Sequence, residues 1–256
     1  MAWTRTTGGS ASTGVTNVTS LTATLGGAVS VGDTVCYGWC NADSAGSTTV
    51  VVDDQLGNTY APASASQQRD TTNQERVGVG KSIITSAGTP QVRIRYNPTP
   101  GTTQGQYTTL VADAFTGSDA SSTLDSNGAA QVQATPGTGT DGVSSGNLTT
   151  TIADGCLIYA ASVSTSNINL NDLTVGTGYT LGQVVGSGTT VYLRTEYKTQ
   201  ASKGAVAGTF TSSANVAHVT AAIAITPAAG GGGSPPTISK RPIVGPDAAL
   251  MRAATW

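Results

Sequence analysis

Charged side chains are scarce in this sequence. Asp, Glu, Lys and Arg account for 10% of the 256 residues, whereas an average soluble protein has roughly 25%. The formal net charge is only −2, so no overall positive field attracts nucleic acid or an acidic membrane surface. Arg93 and Arg95 alternate with apolar residues, which is typical of the polar face of a strand. We therefore predict no nucleic-acid partner.

Long apolar runs are also missing. The sequence contains no run of the roughly 18 apolar residues that a membrane-spanning helix needs. Its first residues carry no apolar segment of the kind found in a secretory signal. We expect no membrane partner, and a protein that is assembled inside a cell and exposed on a released particle.

Residue types that catalyse reactions or bind metals are few. The single histidine, His218, lies among alternating apolar residues and is interpreted as structural, because no Gly-x-Ser-x-Gly elbow accompanies it. The three cysteines, Cys36, Cys40 and Cys156, lack the Cys-x2-Cys spacing of a zinc site. Their odd number favours buried thiols, and the alternatives are a disulfide from Cys156 to one of the other two cysteines or an intermolecular disulfide. We predict no enzymatic activity, no catalytic or metal-ligating residue and no cofactor.

Aromatic residues make up only 5% of the chain. Most of them fall at strand positions that suit a core, namely Tyr37, Trp39, Tyr96, Tyr107, Tyr159 and Tyr192. Trp3 and Trp256 are the exceptions, since both lie outside the predicted core. A large ring on a terminal segment is typical of an anchor for another chain. We predict both as partner-binding residues.

Short β-like runs separated by Gly, Pro, Asn and Asp fill most of the sequence. No window between residues 15 and 226 has a helical period, and about a dozen short strands in succession indicate a sandwich or barrel. We predict an all-β fold, an antiparallel, jelly-roll-like β-sandwich over residues 15–226. Residues 1–14 are rich in Thr, Ser and Gly and are predicted to form an N-terminal arm.

The composition changes after the last predicted strand. Residues 227–236 contain four consecutive glycines followed by Ser-Pro-Pro, which is typical of a flexible linker. Residues 237–256 are predicted to be an anchoring peptide, with a short helix after Pro246 that folds on docking. Its predicted partner-binding residues are Ile243, Val244, Leu250, Met251, Arg252 and Trp256.

Asp53, Asp54 and Asn58 form the best candidate for an ion site. Hard cations such as Ca²⁺ prefer several oxygen ligands from one loop. The same residue types also make ordinary β-turns, in which Asx side chains accept hydrogen bonds from their own backbone. The turn is the favoured interpretation, and the ion site is the alternative.

Five short motifs occur in order along the predicted domain: residues 53–60 (DDQLGNTY), 115–118 (FTGS), 178–180 (GYT), 196–198 (EYK) and 221–225 (AAIAI). This succession resembles jelly-roll-like surface proteins of bacteria and tailed phages, in which a D-x-x-G-N-x-Y turn opens the core and a strand ending in A-I-A closes it. The resemblance covers residues 15–226. It implies a virion decoration, neck or fibre protein, and no catalytic residue carries over.

Three hypotheses follow. The first is a non-enzymatic structural protein on a phage virion, held by its C-terminal peptide to capsid, neck or tail proteins and to copies of itself. The second is a carbohydrate-binding module or adhesin that recognises a host-surface glycan, which requires an exposed aromatic pair or a calcium loop. The third, a hydrolase, requires a cleft of carboxylates that the acidic residues of this chain are too few to supply.

Overall fold

The computed structural model describes residues 3–14, 18–42, 49–69, 75–97, 106–132, 141–151, 154–165, 172–187, 191–213 and 218–228. These residues form eighteen β-strands and no helix, and every pairing between the strands is antiparallel. The prediction of an all-β, antiparallel fold is confirmed for this part of the chain. The predicted number of about a dozen strands was too low.

The strands of the first half of the chain are β1 (Thr4–Thr13), β2 (Ser20–Thr24), β3 (Thr34–Ala42), β4 (Thr49–Asp53), β5 (Ala61–Arg69), β6 (Glu75–Ile83), β7 (Gln91–Asn97) and β8 (Gln106–Thr116). Those of the second half are β9 (Leu124–Val132), β10 (Asp141–Ser144), β11 (Leu148–Thr150), β12 (Cys156–Thr165), β13 (Leu173–Val175), β14 (Thr180–Ser187), β15 (Val191–Gln200), β16 (Gly204–Val206), β17 (Thr209–Ser212) and β18 (His218–Ile225).

The two halves have the same sheet order. In the first half, a five-stranded sheet runs β1-β8-β3-β6-β5 and a three-stranded sheet runs β2-β7-β4. In the second half, the orders are β9-β18-β12-β15-β14 and β10-β17-β13, with β11 and β16 paired separately. Each strand of the first half thus has a counterpart that follows in the same chain order. Even the β11–β16 pair has one, because a single bridge joins Val29 to Gly88 in the corresponding gaps.

The repeat leaves a small trace in the sequence. Tyr60 precedes β5, and Tyr179 precedes the counterpart strand β14. In the turns before them, Gly57 and Gly178 have φ values of +78° and +79°, which glycine adopts at little cost. Both tyrosines are buried, and each donates its hydroxyl proton within its own half, Tyr60 to Asp54 and Tyr179 to the carbonyl of Ala207.

Three apolar clusters lie between the sheets. The central cluster joins the two five-stranded sheets and includes Phe115 from β8, Tyr159 from β12 and Ile223 from β18. The second cluster joins the first five-stranded sheet to β2, β7 and β4, and includes Tyr37 and Trp39. The third is its equivalent in the second half and includes Phe210. The inner strands β3, β8, β12 and β18 are therefore buried on both faces.

Strand β3 illustrates this arrangement. Val35, Tyr37 and Trp39 point together into the second cluster, as their alternation predicts, whereas Cys36 and Cys40 point into the central one. A strand buried on both faces cannot carry charged side chains without partners. The low charge content of the chain therefore fits a molecule with three consecutive apolar layers.

The structure of the N-terminal segment differs from the predicted arm. Residues Thr4–Thr13 form strand β1, which pairs with β8 from Thr4–Thr116 to Thr13–Thr108. Its sequence, TRTTGGSAST, lacks the apolar alternation of a half-buried strand. Backbone hydrogen bonds to β8 and a few polar contacts hold β1 at the sheet edge, so this alternation is not required. Of the predicted linker, residues 227 and 228 are described, and residues 229–256 lie outside the described part of the chain.

Candidate functional site

A buried carboxylate lies where the two halves meet. Asp113 of β8 is fully buried, and its Oδ1 accepts a hydrogen bond of 2.7 Å from Nε of Arg5 on β1, with Arg5 Nη2 also at 2.7 Å. Its Oδ2 accepts hydrogen bonds from the Tyr159 hydroxyl at 2.9 Å and the Thr195 hydroxyl at 3.3 Å. One carboxylate thus connects β1 and β8 of the first half with β12 and β15 of the second.

Burial dominates the electrostatics of this centre. It raises the pKa of Asp113, although the Arg5 charge and the hydrogen bonds from Tyr159 and Thr195 act in the opposite direction. Burial and the nearby Asp113 carboxylate also raise the pKa of Tyr159 well above its usual range. The tyrosine is therefore a hydrogen-bond donor here and not a base. Arg5, Tyr159 and Thr195 all bind the Asp113 carboxylate. These contacts form a structural tie between the two halves.

Trp3 lies beside this tie and not on a free tail. Its side chain is 8% exposed and belongs to the central cluster. Its indole Nε1 donates a hydrogen bond of 2.8 Å to the carbonyl of Gly155, which belongs to the second half. In this structure the Trp3 ring therefore packs against its own molecule and not outside the core, where its terminal position had predicted it. The position in the sequence alone gave no sign of this packing.

A second buried carboxylate, Glu196 of β15, caps backbone groups. Its Oε2 accepts the amide hydrogen of Gly176 at 2.8 Å, and its Oε1 accepts that of Thr209 at 2.7 Å. Burial raises the pKa of Glu196 to about 8, although both amide donors and Lys198 favour the charged form. The ammonium of Lys198 lies 4.3 Å from the centre of the Tyr179 ring. In the sequence, Glu196 stands out only as the first residue of the EYK motif at residues 196–198.

The β2-β7-β4 sheet carries a pair of exposed arginines beside a partly buried aspartate. Arg93 Nε donates to Asp53 Oδ1 at 2.8 Å, and Arg95 forms an ion pair with the other oxygen of Asp53. These interactions lower the pKa of Asp53, against the effect of its partial burial. Beside Arg95, a groove of about 410 Å³ is lined by Thr19, Ser20, Val51, Arg95 and Tyr96.

The predicted turn or ion site separates into two units. Asp53 belongs to the arginine face just described. Asp54 Oδ1 accepts the amide hydrogens of Leu56 at 2.9 Å and Asn58 at 3.0 Å, which is the geometry of an Asx turn. Asp54 Oδ2 accepts hydrogen bonds from the Asn58 amide group and the Tyr60 hydroxyl. Every oxygen of this carboxylate therefore already faces donors of its own chain.

The cysteines and the histidine lie inside the core. Cys36, Cys40 and Cys156, all in the described part of the chain, are buried thiols and form no disulfide bond. Burial raises the pKa of Cys36 and Cys40, so both thiols stay protonated at neutral pH. His218 begins β18 and is fully buried. The alternative of a disulfide between Cys156 and Cys36 or Cys40 is therefore wrong for this structure.

The remaining predicted partner-binding residues belong to the C-terminal peptide and lie outside the described residues: Ile243, Val244, Leu250, Met251, Arg252 and Trp256. Among the residues that the structure describes, no group of three or more His, Cys, Asp or Glu side chains is arranged to hold a metal ion. The same residues include no helix long and apolar enough to cross a membrane.

Sequence reasoning missed the Arg5–Asp113 tie. Asp113 stands in the run LVADAF, where a charged residue amid apolar ones signals a buried partner. Nothing in the sequence identified Arg5, 108 residues away, as that partner. Comparison of the chain with family models, with curated proteins and with solved structures finds no match.

Proposed function

We propose that this chain is a non-enzymatic structural protein displayed on a phage virion as a capsid decoration, neck or fibre component. Its C-terminal peptide, residues 237–256, attaches it to neighbouring virion proteins, and the folded part is exposed on the particle. The observation that carries this proposal is the duplicated sheet order. It supports assigning a jelly-roll fold to each half.

The sheet order supports that assignment as follows. In a jelly roll of eight strands, strands 1, 8, 3 and 6 form one sheet and strands 2, 7, 4 and 5 form the other. The first half contains the orders β1-β8-β3-β6 and β2-β7-β4, and the second half contains the same orders in its counterpart strands. Both halves differ from a jelly roll in one strand: β5, like its counterpart β14, pairs with the sixth strand and not with the fourth. Jelly rolls are frequent in viral capsid proteins and in lectins. This step is an analogy at the level of the fold.

The use of the buried charges also supports a structural role. Asp113 is held by Arg5, Tyr159 and Thr195, and Glu196 is held by two backbone amides. A general acid or base must reach a substrate atom within hydrogen-bonding distance. Both carboxylates instead bind groups of their own chain inside the layers, where they orient strands.

A specific observation favours carbohydrate binding as the second candidate. The exposed β2-β7-β4 face presents Arg93, Arg95, Gln55 and Gln91 around shallow grooves, and such side chains hydrogen-bond to sugar hydroxyls. However, Tyr96, the aromatic residue nearest to this face, is 4% exposed. Stacking of a sugar on an exposed ring, the usual source of affinity, has no platform there.

Particle incorporation tests the first candidate. The full chain and a chain lacking residues 230–256 are produced, each with an internal epitope tag, in host cells that are making phage particles. The particles are isolated on a density gradient and probed for the tag. We expect the full chain in the particle fraction, and the shortened chain to be folded by circular dichroism but left in the soluble fraction.

A chain in which residues 230–236 are shuffled is the matched control, because it keeps the length of the linker and the peptide beyond it. We expect it to be incorporated like the full chain. Normal incorporation of the shortened chain would disprove the anchor, and absence of the full chain from particles would disprove the virion role. A glycan array tests the second candidate, with Arg95→Ala as the variant that should lose any signal.

A further inference from the structure

Strand β1 lies in a slot formed by other parts of the molecule. It pairs along its whole length with β8, from Thr4–Thr116 to Thr13–Thr108, with one irregularity between Arg5 and Thr7. It also contacts β14 of the second half and β2 of its own half. In this slot β8 supplies the backbone groups that hydrogen-bond to β1, and β14 and β2 contact β1 as well.

The slot recognises particular side chains at one end of β1. Trp3 fills a gap at the central cluster and donates its indole proton to Gly155. Arg5 supplies the positive charge for the buried Asp113 carboxylate. The charge-assisted hydrogen bonds of this pair are directional, and removal of the cation would leave the buried carboxylate without its charged partner.

Gly9 lets the middle of β1 approach the neighbouring backbone, and Gly8 beside it lies close to side chains. A Cβ atom on Gly9 would lie 2.1 Å from the carbonyl oxygen of Thr24, a backbone atom at the end of β2. A Cβ atom on Gly8 would lie 2.1 Å from Nε2 of Gln183 on β14. Because the Gln183 side chain can move whereas the Thr24 backbone cannot, the slot requires Gly at position 9 together with Trp3 and Arg5, which is a sequence requirement and not a general affinity for strands.

The strand contributes little to the apolar layers. None of the residues Thr4–Thr13 is buried, whereas β3, β8, β12 and β18 have buried side chains on both faces. β1 is the outermost strand of its sheet, so its exchange breaks no pairing between other strands. Its departure would leave the β8 edge unpaired and Asp113 without its cation, two features that demand a replacement.

We propose that β1 is an exchangeable strand, and that residues 3–13 of one copy occupy the β8 slot of a second copy of this chain. Residues 3–13 of a second copy meet the requirements of the slot, because they carry the same Trp3, Arg5 and Gly9 that occupy it within one molecule. Such an exchange joins copies without creating new contacts, because each slot keeps the same partners. The inference does not rest on the virion role, since it follows from the slot alone.

Disulfide trapping across the β1–β8 pair tests the exchange. Thr4 and Thr116 are paired in the ladder and neither is buried, so Thr4→Cys and Thr116→Cys are placed in separate full-length chains with different affinity tags. The two chains are co-expressed, purified through both tags after mild oxidation, and separated on a non-reducing gel. We expect a two-chain species joined by a bond between positions 4 and 116 that reduction abolishes.

Two controls make the result decisive. Ser12→Cys co-expressed with Thr116→Cys should give no two-chain species, because Ser12 pairs with Thr109 at the far end of the strand. One chain carrying both Thr4→Cys and Thr116→Cys reports whether the bond can form at all. If that chain closes on itself while the separate chains give no two-chain species, β1 stays in its own molecule and the proposal is overturned.

Discussion

Arg5 and Asp113 form a pair in which the carboxylate is fully buried and the arginine side chain is 26% exposed. Replacing Arg5 by Ala would leave a buried negative charge with only hydroxyl donors. We expect this change to lower the free energy of unfolding by about 3 kcal/mol, the typical cost of removing one partner of a buried pair. Denaturant titration at pH 7 measures the loss.

The pH dependence of the Arg5→Ala variant follows from the raised pKa of Asp113. An acid whose pKa is higher in the folded state stabilises the fold at low pH, and this contribution is lost as the pH rises. Without Arg5 the pKa rises further, so the variant should lose more stability at pH 8 than at pH 5. Arg93→Ala is the control, since its ion pair with Asp53 is exposed and screened by solvent. Equal effects of both substitutions would contradict the tie.

Glu196 makes a separate prediction about pH. Burial raises its pKa from 4.5 to about 8, so between these values the folded chain holds a proton that the unfolded chain releases. Stability should therefore fall as the pH rises through this range, with a slope of at most about 1.4 kcal/mol per pH unit from this group. Glu196→Gln carries no titrating proton and should flatten the dependence. Unfolding curves at pH 5, 6.5 and 8 measure both slopes.

Asp113 titrates in the same direction in both proteins, so the difference between wild type and Glu196→Gln isolates Glu196. The substitution also replaces one acceptor oxygen by an amide group opposite a backbone N–H, so we expect a pH-independent loss of stability in addition to the change in slope. Identical slopes for the two proteins would show that Glu196 does not change its protonation between pH 5 and 8.

At the scale of single strands, β1 depends on close backbone approach. Gly9→Ala would place a methyl group against the Thr24 carbonyl, which cannot rotate away. We expect a loss of about 1–3 kcal/mol, as for other overpacked sites, together with faster hydrogen exchange along β1 and β8. Ser10→Ala is the control, because Ser10 is the next residue of the same strand and is exposed. Equal stability of the two variants would argue against a tight slot.

Strand β1 also shows where prediction from sequence stops. The runs of β3, β8, β12 and β18 are rich in apolar and β-branched residues, and their sequences alone indicate buried strands. The run TRTTGGSAST has neither property, because its order comes from an edge position, a salt bridge and an indole hydrogen bond made by residues over 100 positions away. Long-range contacts of this kind have no local pattern, so residues 1–14 were predicted as an arm.

At the scale of the whole molecule, the repeat escaped sequence analysis for a related reason. The counterpart strands share burial and order but few identical residues; Tyr60 and Tyr179 are the clearest pair. Equivalent strands need only alternate correctly and fill their layer, which many residue combinations achieve. The acidic residues of the candidate sites likewise fall into two groups, those that the sequence indicated and those that only the structure revealed. Asp53 and Asp54 stood out as neighbours, whereas the Asp113 and Glu196 sites became visible only once the sheets were in place.

The central cluster suggests how the two halves depend on each other. They meet through equivalent strands: β1 contacts β14 while its counterpart β9 contacts β5, and β8 contacts β15 while β18 contacts β6. Such an arrangement is that of a two-fold interface within one chain. Each half alone would expose one face of its five-stranded sheet, including Phe115 in the first half and Ile223 in the second.

We therefore expect the chain to fold as two separate pieces that reassemble. A break between Ala120 and Ser121 falls in an exposed turn, so fragments 1–120 and 121–256 should co-purify as a 1:1 complex when only one of them carries a tag. Each fragment expressed alone should pair with itself or precipitate, because an exposed apolar face of this size is rarely left in water. Light scattering after size-exclusion chromatography distinguishes these states. If the two fragments are stable monomers that do not bind each other, the central cluster is not a shared core.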